Sequence, residues 1–298
     1  MSGADPAFRC TRSEEDTGAD PAGSASTVRA FLLVELEGAW GTDALAAARL
    51  PASVRRMLRR LEPEHRVRPL MIRRQGRRTE GGGVHVFAAC TVPGRRWVEH
   101  ARMDGHQDLL GLDLAGMVDG HRPGLPAYDE PLFCVCTHGR HDACCAERGR
   151  PVWEALRAVA PEHTWQVSHI GGDRFAGNVL VLPDGLYYGR MQPADAADLV
   201  AAHAQGELLL DRLRGRTAQP FPVQAAEIYL RRALGLLGRD AVRFVGHHRD
   251  GEVTDVDLET SEGRHLVRVR SAPGPARQLT CRAEGPGRPL IHELLSIG

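Results

Sequence analysis

The chain has 298 residues, with 38 basic and 38 acidic side chains and a formal net charge of zero. This length exceeds what one hydrophobic core usually serves, so it predicts two or three domains. The neutral balance argues against a protein dedicated to nucleic acid or to acidic membranes. Arginine is dense between residues 55 and 78, but no aromatic side chains are interleaved there to stack on bases, so we interpret that run as a solvated face.

The cellular compartment is indicated by what the chain does not contain. No apolar run reaches the roughly 18 residues that a membrane-spanning helix needs. The first 26 residues lack the apolar segment of a signal peptide and have the composition of a disordered tail. The seven cysteines are an odd number and too sparse for a disulfide scaffold, which favours a reducing compartment. We therefore expect a cytoplasmic protein with no membrane partner.

The apolar pattern of residues 27–125 predicts one structural unit. A strand is followed by a helix, three further strands and a short closing helix. These elements are predicted at residues 28–37, 52–61, 67–73, 84–90, 95–101 and 109–118. Residues 123–129, rich in proline and glycine, are expected to link this unit to the next.

The same order of elements recurs in residues 126–206. The hairpin is predicted around Pro183-Asp184-Gly185, because an Asp-Gly pair tolerates the positive φ of such a turn. The elements are predicted at residues 132–136, 144–159, 164–168, 179–182, 186–189 and 193–203. The repeated order β-α-β-β-β-α predicts an α/β (α+β) protein built from two thioredoxin-like units in tandem.

Residues 217–298 differ in composition from the two units before them. An amphipathic helix is predicted first, and short alternating strands follow it. These elements are predicted at residues 223–237, 242–245, 253–258, 265–269 and 279–282. The pattern is typical of a small C-terminal α+β unit.

A cysteine-rich turn lies between the first strand and the helix of the second unit. Cys136 closes the strand and Cys145 opens the helix, so both thiols can face one space. The positive end of the helix dipole favours thiolates, which are the form that binds metal. Cys134 shares the face of Cys136 but is expected to pack in the core, and Cys144 must project differently from Cys145. We treat these two cysteines as reserve ligands.

A second loop follows the next strand and carries His169 and Asp173, with Gly171 and Gly172 between them. Two glycines let the backbone turn tightly enough for both side chains to face one centre. Together with Cys136 and Cys145, this pair predicts a metal or iron–sulfur site.

Other residues near these loops have weaker interpretations. His138 and His141 are expected at the surface or beside the ligands. Arg148 and Arg174 could support the site by hydrogen bonding to sulfur or to a partner, or could form ordinary ion pairs. The isolated cysteines are expected to be inert. They are Cys10, Cys90 and Cys281.

The segments CVCTHGRHDACCAERG and SHIGGDRFAGNVLVLPDGLYYGRM resemble the sucrase/ferredoxin-like family. The likeness is close over residues 132–203 and looser from Ala30 to the C-terminus. It implies that residues 126–206 are a thioredoxin-like ferredoxin domain with one [2Fe-2S] cluster. Cys136 and Cys145 would bind one iron and His169 the other.

The chain departs from the family pattern at Asp173, where the pattern H-x3-H has a second histidine. The fourth ligand could therefore be Asp173 itself, a water, Cys134 or Cys144, or the site could hold no cluster. A carboxylate would keep more negative charge at the site than an imidazole does, so we expect a lower reduction potential than that of a bis-histidine relative.

Several functions stay open at this point. The first is an electron carrier that accepts from a reductase and donates to another protein, since no bound flavin or nicotinamide is implied. The second is a thiol-based redox protein, although the usual C-x-x-C is absent, and the third is a structural zinc protein. A binding module is the residual case. Sucrase-type hydrolysis has no support, because no pair of carboxylates stands out among the many acidic residues.

Overall fold

A mixed sheet of nine strands forms the centre of the computed structural model, which describes residues 7–74 and 82–298. Its strands are β1 (Ala30–Glu35), β2 (Val67–Arg73), β3 (Val84–Cys90), β4 (Trp97–Met103), β5 (Leu132–Cys136), β6 (Thr164–Val167), β7 (Val179–Leu182), β8 (Leu186–Tyr188) and β9 (Leu213–Arg216). The helices are α1 (Cys10–Glu15), α2 (Ala52–His65), α3 (Ala143–Val159), α4 (Ala196–Ala204) and α5 (Phe221–Leu234). Residues 1–6 of the expected tail and residues 75–81, which include the end of the arginine-rich run, lie outside the described part.

The strands of this sheet are ordered β4-β3-β1-β2-β6-β5-β7-β8-β9. Strands β1 and β2 are parallel, as are β5 and β6, and the other neighbours are antiparallel. The order β2-β1-β3-β4 in the first half therefore recurs as β6-β5-β7-β8 in the second. The halves meet where β2 pairs with β6, through Ile72 with Val167 and Arg73 with Gln166.

The central strands are apolar because both of their faces are buried. On β1, Leu32 and Val34 pack toward α2, while Phe31 and Leu33 pack into a cluster on the opposite face. That second cluster extends along the sheet to residues of β5, including Cys136. The end of β5, where the cysteine-rich turn begins, therefore lies deep in the molecule.

A second, antiparallel sheet contains β10 (Arg243–Asp250), β11 (Val253–Thr260), β12 (Gly263–Pro273) and β13 (Leu290–Ile297), in that order. Helix α5 packs on this sheet through buried residues such as Val223 and Leu230. The described residues are thus a mixed α+β structure with two sheets. None of their helices is long and apolar enough to cross a membrane.

Three expectations about elements are wrong. No α-helix forms at 109–118, where two short 3-10 turns (His106–Gly111 and Met117–Asp119) occur, because Gly116 and Gly120 adopt left-handed backbone conformations. No strand forms at 279–282, which is a turn. Disorder does not extend through residues 7–26, since α1 buries Cys10 and Glu14 against the rest of the molecule.

Candidate metal centre

The end of β5 and the start of α3 bring Cys136 and Cys145 together. Helix α3 begins after Asp142, whose carboxylate accepts a hydrogen bond of 2.9 Å from the Cys144 N–H. One turn further on, the helix packs directly on the strand end at Gly149. A Cβ atom added there would lie 2.0 Å from the carbonyl oxygen of Cys136. Only glycine allows this approach, which places the two thiols in one space.

The second loop follows β6 and turns back at Gly171 and Gly172, whose φ values of +97° and +79° lie in the left-handed region. Arg214 is buried beneath this loop. Its guanidinium donates to the carbonyl of Gly171 at 3.1 Å and to the side chain of Asn178 at 2.7 Å, and a Cβ on Gly172 would collide with it. The loop is therefore fixed with His169 and Asp173 facing the cysteine-rich turn.

The four residues that the sequence predicts as ligands meet at one place, which we call the loop site (Cys136, Cys145, His169 and Asp173). The donor atoms of Cys136, Cys145 and His169 lie within 4.8 Å of one another. The Cys145 Sγ is 3.1 Å from the Asp173 Oδ1, and the His169 Nδ1 is 2.9 Å from the same oxygen. The structure brings the predicted residues together, while metal binding by them stays a prediction.

His141 joins this group, although it was expected only at the surface or beside the ligands. Its ring stacks on that of His169, with 3.7 Å between the centroids, and its Nε2 is 3.8 Å from the Asp173 Oδ2. His141, His169 and Asp173 form a second set of donors within 4.8 Å of one another. The signal that could have identified His141 is its position four residues before Cys145, close to the helix start.

The ionisable side chains of the loop site change one another's pKa values. A hydrogen bond from Cys145 lowers the pKa of the Cys136 thiol well below its usual value, and the same contact raises that of Cys145. Burial lowers the pKa of His169, but the Asp173 carboxylate and Cys136 outweigh it and raise the value to about 10. Burial raises the pKa of Asp173, but contacts with His169, Cys145 and His141 together outweigh burial and lower it. The site thus favours a thiolate, an imidazolium and a carboxylate in contact.

The donor set fits either an iron–sulfur group or zinc, since both take thiolates and imidazoles. One detail of the histidine supports this fit. The Nδ1 of His169 is buried and lies 2.9 Å from the Asp173 carboxylate, but this contact is not aligned as a hydrogen bond. A metal ion would give this nitrogen a better-oriented partner.

The loop site is buried on its cysteine side and open on its histidine side. Cys136 and Cys145 are each 1% exposed, whereas the side chains of His169 and His141 are 27% and 35% exposed. The two histidines line a cleft of about 560 Å³ together with Arg68 and other residues of the first half. Solvent and partners can therefore reach the imidazoles but not the thiols.

The residues expected to support the site have definite partners. The Nδ1 of His138 accepts a hydrogen bond of 3.2 Å from the His169 N–H, so this ring supports the second loop. Arg148 and Arg174 instead pair with Glu15 and Glu14 of α1, at 3.3 and 3.1 Å. The ion-pair alternative for the two arginines therefore holds in this structure.

The reserve ligand Cys134 is buried in the core, where burial raises its pKa, and it belongs to no ligand group among the described residues. Cys144 belongs to a separate group that we call the terminal thiol cluster (Cys10, Asp142, Cys144 and Cys281). The sequence-based expectation that Cys10 and Cys281 stand alone is wrong, because the fold brings α1 and the turn between β12 and β13 to the start of α3.

Comparison with characterised proteins gives three relatives of the same description. The chain is 30% identical over 97 residues to altered inheritance of mitochondria protein 32 of Meyerozyma guilliermondii, which covers 29% of this chain and 34% of the relative. The corresponding proteins of Candida glabrata and Eremothecium gossypii are 28% and 29% identical over 102 and 120 residues. These matches cover 29% and 35% of this chain and 32% and 37% of the relatives.

The chain thus spans about a third of the length of these relatives. No solved structure matches it. The family model described as sucrase/ferredoxin-like matches residues 21–215, which include α3, both loops of the loop site and all of the nine-stranded sheet except the last residue of β9. The chain therefore belongs to the sucrase/ferredoxin-like family.

Proposed function

We propose that this chain is an electron-transfer protein that binds one [2Fe-2S] cluster at the loop site. The observation that carries the proposal is the meeting of two buried thiols with an imidazole and a carboxylate from a separate loop. The family description and the repeated β-α-β-β-β order, which we interpret as two thioredoxin-like units, also support it. A bound cluster would supply reversible one-electron transfer.

The chain's own residues would hold and shield that group. Cys136 and Cys145 would bind it from the buried side, where the close contact at Gly149 fixes their separation. His169 would bind it from the second loop, oriented by the His138 ring behind its backbone. Asp173 would be the fourth ligand, and the buried Arg214 would partly offset the negative charge of the site.

The open side of the loop site suggests where electrons enter and leave. His141 and His169 line the cleft, so a docked protein could approach the imidazoles while the thiols stay covered. We propose that the partner is a redox protein, either a reductase or an electron acceptor, in a reducing compartment such as the cytoplasm. A role in attack on substrate disulfides is less well supported, because the Cys136 thiol is 1% exposed.

The test is purification without oxygen, followed by the visible spectrum and by measurement of iron and acid-labile sulfide. We expect a coloured protein with two irons and two sulfides per chain. The Cys136→Ala variant should lose both, because it removes a ligand. The matched control is Cys134→Ala, which changes a buried cysteine on the same strand and should keep the iron.

A colourless wild-type protein without iron would overturn the cluster proposal. Zinc is the second candidate at this site, because the donor atoms of Cys136, Cys145 and His169 lie within 4.8 Å of one another, near enough to share a single ion. In that case the wild type would contain a zinc ion that Cys136→Ala loses and Cys134→Ala retains.

A further inference from the structure

The terminal thiol cluster gathers donors from widely separated parts of the chain. Cys10 opens α1, Asp142 and Cys144 stand at the start of α3, and Cys281 lies in the turn between β12 and β13. The Sγ atoms of Cys144 and Cys281 are 3.4 Å apart, and those of Cys281 and Cys10 are 3.7 Å apart. The Cys10 Sγ is 3.7 Å from each carboxylate oxygen of Asp142.

These distances are close to those between pairs of ligand atoms in a tetrahedral zinc site. Zinc–sulfur bonds of about 2.3 Å place two sulfurs about 3.8 Å apart, and a zinc–oxygen bond of about 2.0 Å places sulfur and oxygen about 3.5 Å apart. The remaining donor pairs of the terminal thiol cluster lie within 4.8 Å of one another, so a modest inward shift lets the four donors surround one ion. Three thiolates select zinc over calcium or magnesium, which prefer oxygen ligands.

The surroundings of the cluster also suit a bound metal. Cys10, Cys144 and Asp142 are at most 1% exposed. The Thr11 hydroxyl donates to the Cys144 Sγ at 3.3 Å, and the Cys10 N–H donates to the Cys281 Sγ at 3.5 Å. Such donors stabilise thiolate ligands, and so does the N-terminal end of the α3 dipole.

The carboxylate of Asp142 is held in place from two sides. Its Oδ1 accepts the N–H of Cys144 at 2.9 Å, and its Oδ2 accepts the N–H of Cys281 at 2.6 Å. Each oxygen keeps a lone pair for a further partner. The carboxylate thus fixes the backbone of two of the cysteines while it faces the sulfur of the third.

We propose that the terminal thiol cluster is a structural zinc site, with Cys10, Cys144, Cys281 and Asp142 as its four ligands. The ion ties α1 and the turn between β12 and β13 to the start of α3. It is separate from the loop site, although Cys144 and Cys145 are neighbours in the sequence. Because no ligand is shared, metal at one site is expected without metal at the other.

The test uses the full chain with the loop site disabled by Cys136→Ala and His169→Ala. After purification and dialysis against a weak chelator, metal analysis should find one zinc per chain. Adding Cys10→Ser or Cys281→Ser should reduce the zinc to less than a tenth of that amount. The matched control is Cys90→Ala, which changes a buried cysteine of β3 and should leave the zinc unchanged.

A second measurement does not require the serine variants to fold. It is a cobalt titration of the metal-free chain that carries Cys136→Ala and His169→Ala. Co²⁺ alone should produce the thiolate charge-transfer absorption of a sulfur-rich tetrahedral site, and added Zn²⁺ should abolish it. Absence of that absorption would overturn the proposal. So would zinc retained equally after Cys281→Ser, or a zinc-free chain with a disulfide from Cys281 to Cys10 or Cys144. Iron is measured separately, in the chain with an intact loop site. Either proposal can therefore be contradicted without the other.

Discussion

Asp173 contacts both kinds of donor in the loop site. Its Oδ1 lies 3.1 Å from a thiol sulfur and 2.9 Å from an imidazole nitrogen, and the residue is 4% exposed. A buried carboxylate in this position adds a negative charge that a neutral imidazole would not. Because negative charge around an iron–sulfur cluster favours its oxidised form, the identity of this one residue should set the reduction potential.

We predict that Asp173→His raises the potential of the bound cluster by on the order of 100 mV, since exchanging anionic ligands for imidazoles raises potentials by a few hundred millivolts. The reduction potential of the wild type should depend on pH through His169 alone, whereas that of the variant should depend on pH through two histidines. Redox titrations of the two proteins across a range of pH values measure both effects.

The Asp173→Glu variant is the control, because it keeps the carboxylate charge and should titrate near the wild type. An unchanged potential in Asp173→His would show that Asp173 is not a ligand. If His141→Ala lost the cluster and Asp173→Ala kept it, the fourth ligand would be His141 and not Asp173. The stacking of His141 on His169 makes that comparison necessary.

At the scale of elements, the loop site depends on how closely α3 packs on β5. We predict that Gly149→Ala destabilises the fold by about 2–3 kcal/mol, as overpacking of a tight contact does, because its Cβ would meet the Cys136 carbonyl at 2.0 Å. Metal content should fall as well, since the shift separates Cys136 from Cys145. Denaturant unfolding and metal analysis test both effects.

The control for that change is Gly105→Ala. Gly105 has an extended backbone with a φ of −164°, and nothing lies within 4 Å of an added Cβ. The free energy of unfolding of the Gly105→Ala variant should stay within about 0.5 kcal/mol of that of the wild type. If Gly149→Ala also left stability and metal content unchanged, the close contact would not be what positions the thiols.

The strands that the sequence predicts at their observed bounds share a simple signal. Strands β2, β3, β5 and β7 consist mostly of apolar residues. The helix α1 gave no comparable signal, because six residues are too few to show a helical period. Strand β13 was missed and a strand at 279–282 was expected instead, since alternation over four residues does not distinguish a strand from a turn.

The two ligand groups differ in how far the sequence could predict them. Two adjacent parallel strands, β5 and β6, end beside the loop site, and its four residues lie at those ends or in the segments that follow, so local patterns were enough to bring them together. Cys10 and Cys281 are separated by 271 positions. No local pattern connects them, and only the packing of α1 and of the turn between β12 and β13 against the start of α3 makes them neighbours of Cys144.

At the scale of the whole molecule, buried histidines make stability depend on pH. His203 on α4 is 3% exposed and bonds the Tyr188 hydroxyl at 2.9 Å, and burial lowers its pKa from 6.5 to about 4. Below pH 6.5 the unfolded chain therefore binds a proton that the folded chain does not. The free energy of unfolding should fall as the pH decreases from about 6.5 to 4, by at most about 3 kcal/mol from this residue.

We predict that His203→Gln weakens this dependence, because glutamine does not titrate. Denaturant unfolding at several pH values between 4 and 7 gives the slope for each protein. The control is His247→Gln, which changes an exposed histidine of β10 and should leave the slope as in the wild type. Equal slopes in all three proteins would show that His203 does not contribute.

The pairing of β2 with β6 limits how the chain can be divided. If the second half stood alone, β6 would become an exposed edge strand, with unpaired backbone groups beside the apolar side chains of Trp165 and Val167. Such an edge is a template for association with other strands. His169 also follows directly from β6, so its position depends on the strand that the first half supplies. The first half thus covers the edge of β6 and protects the half that carries the loop site from association through that edge.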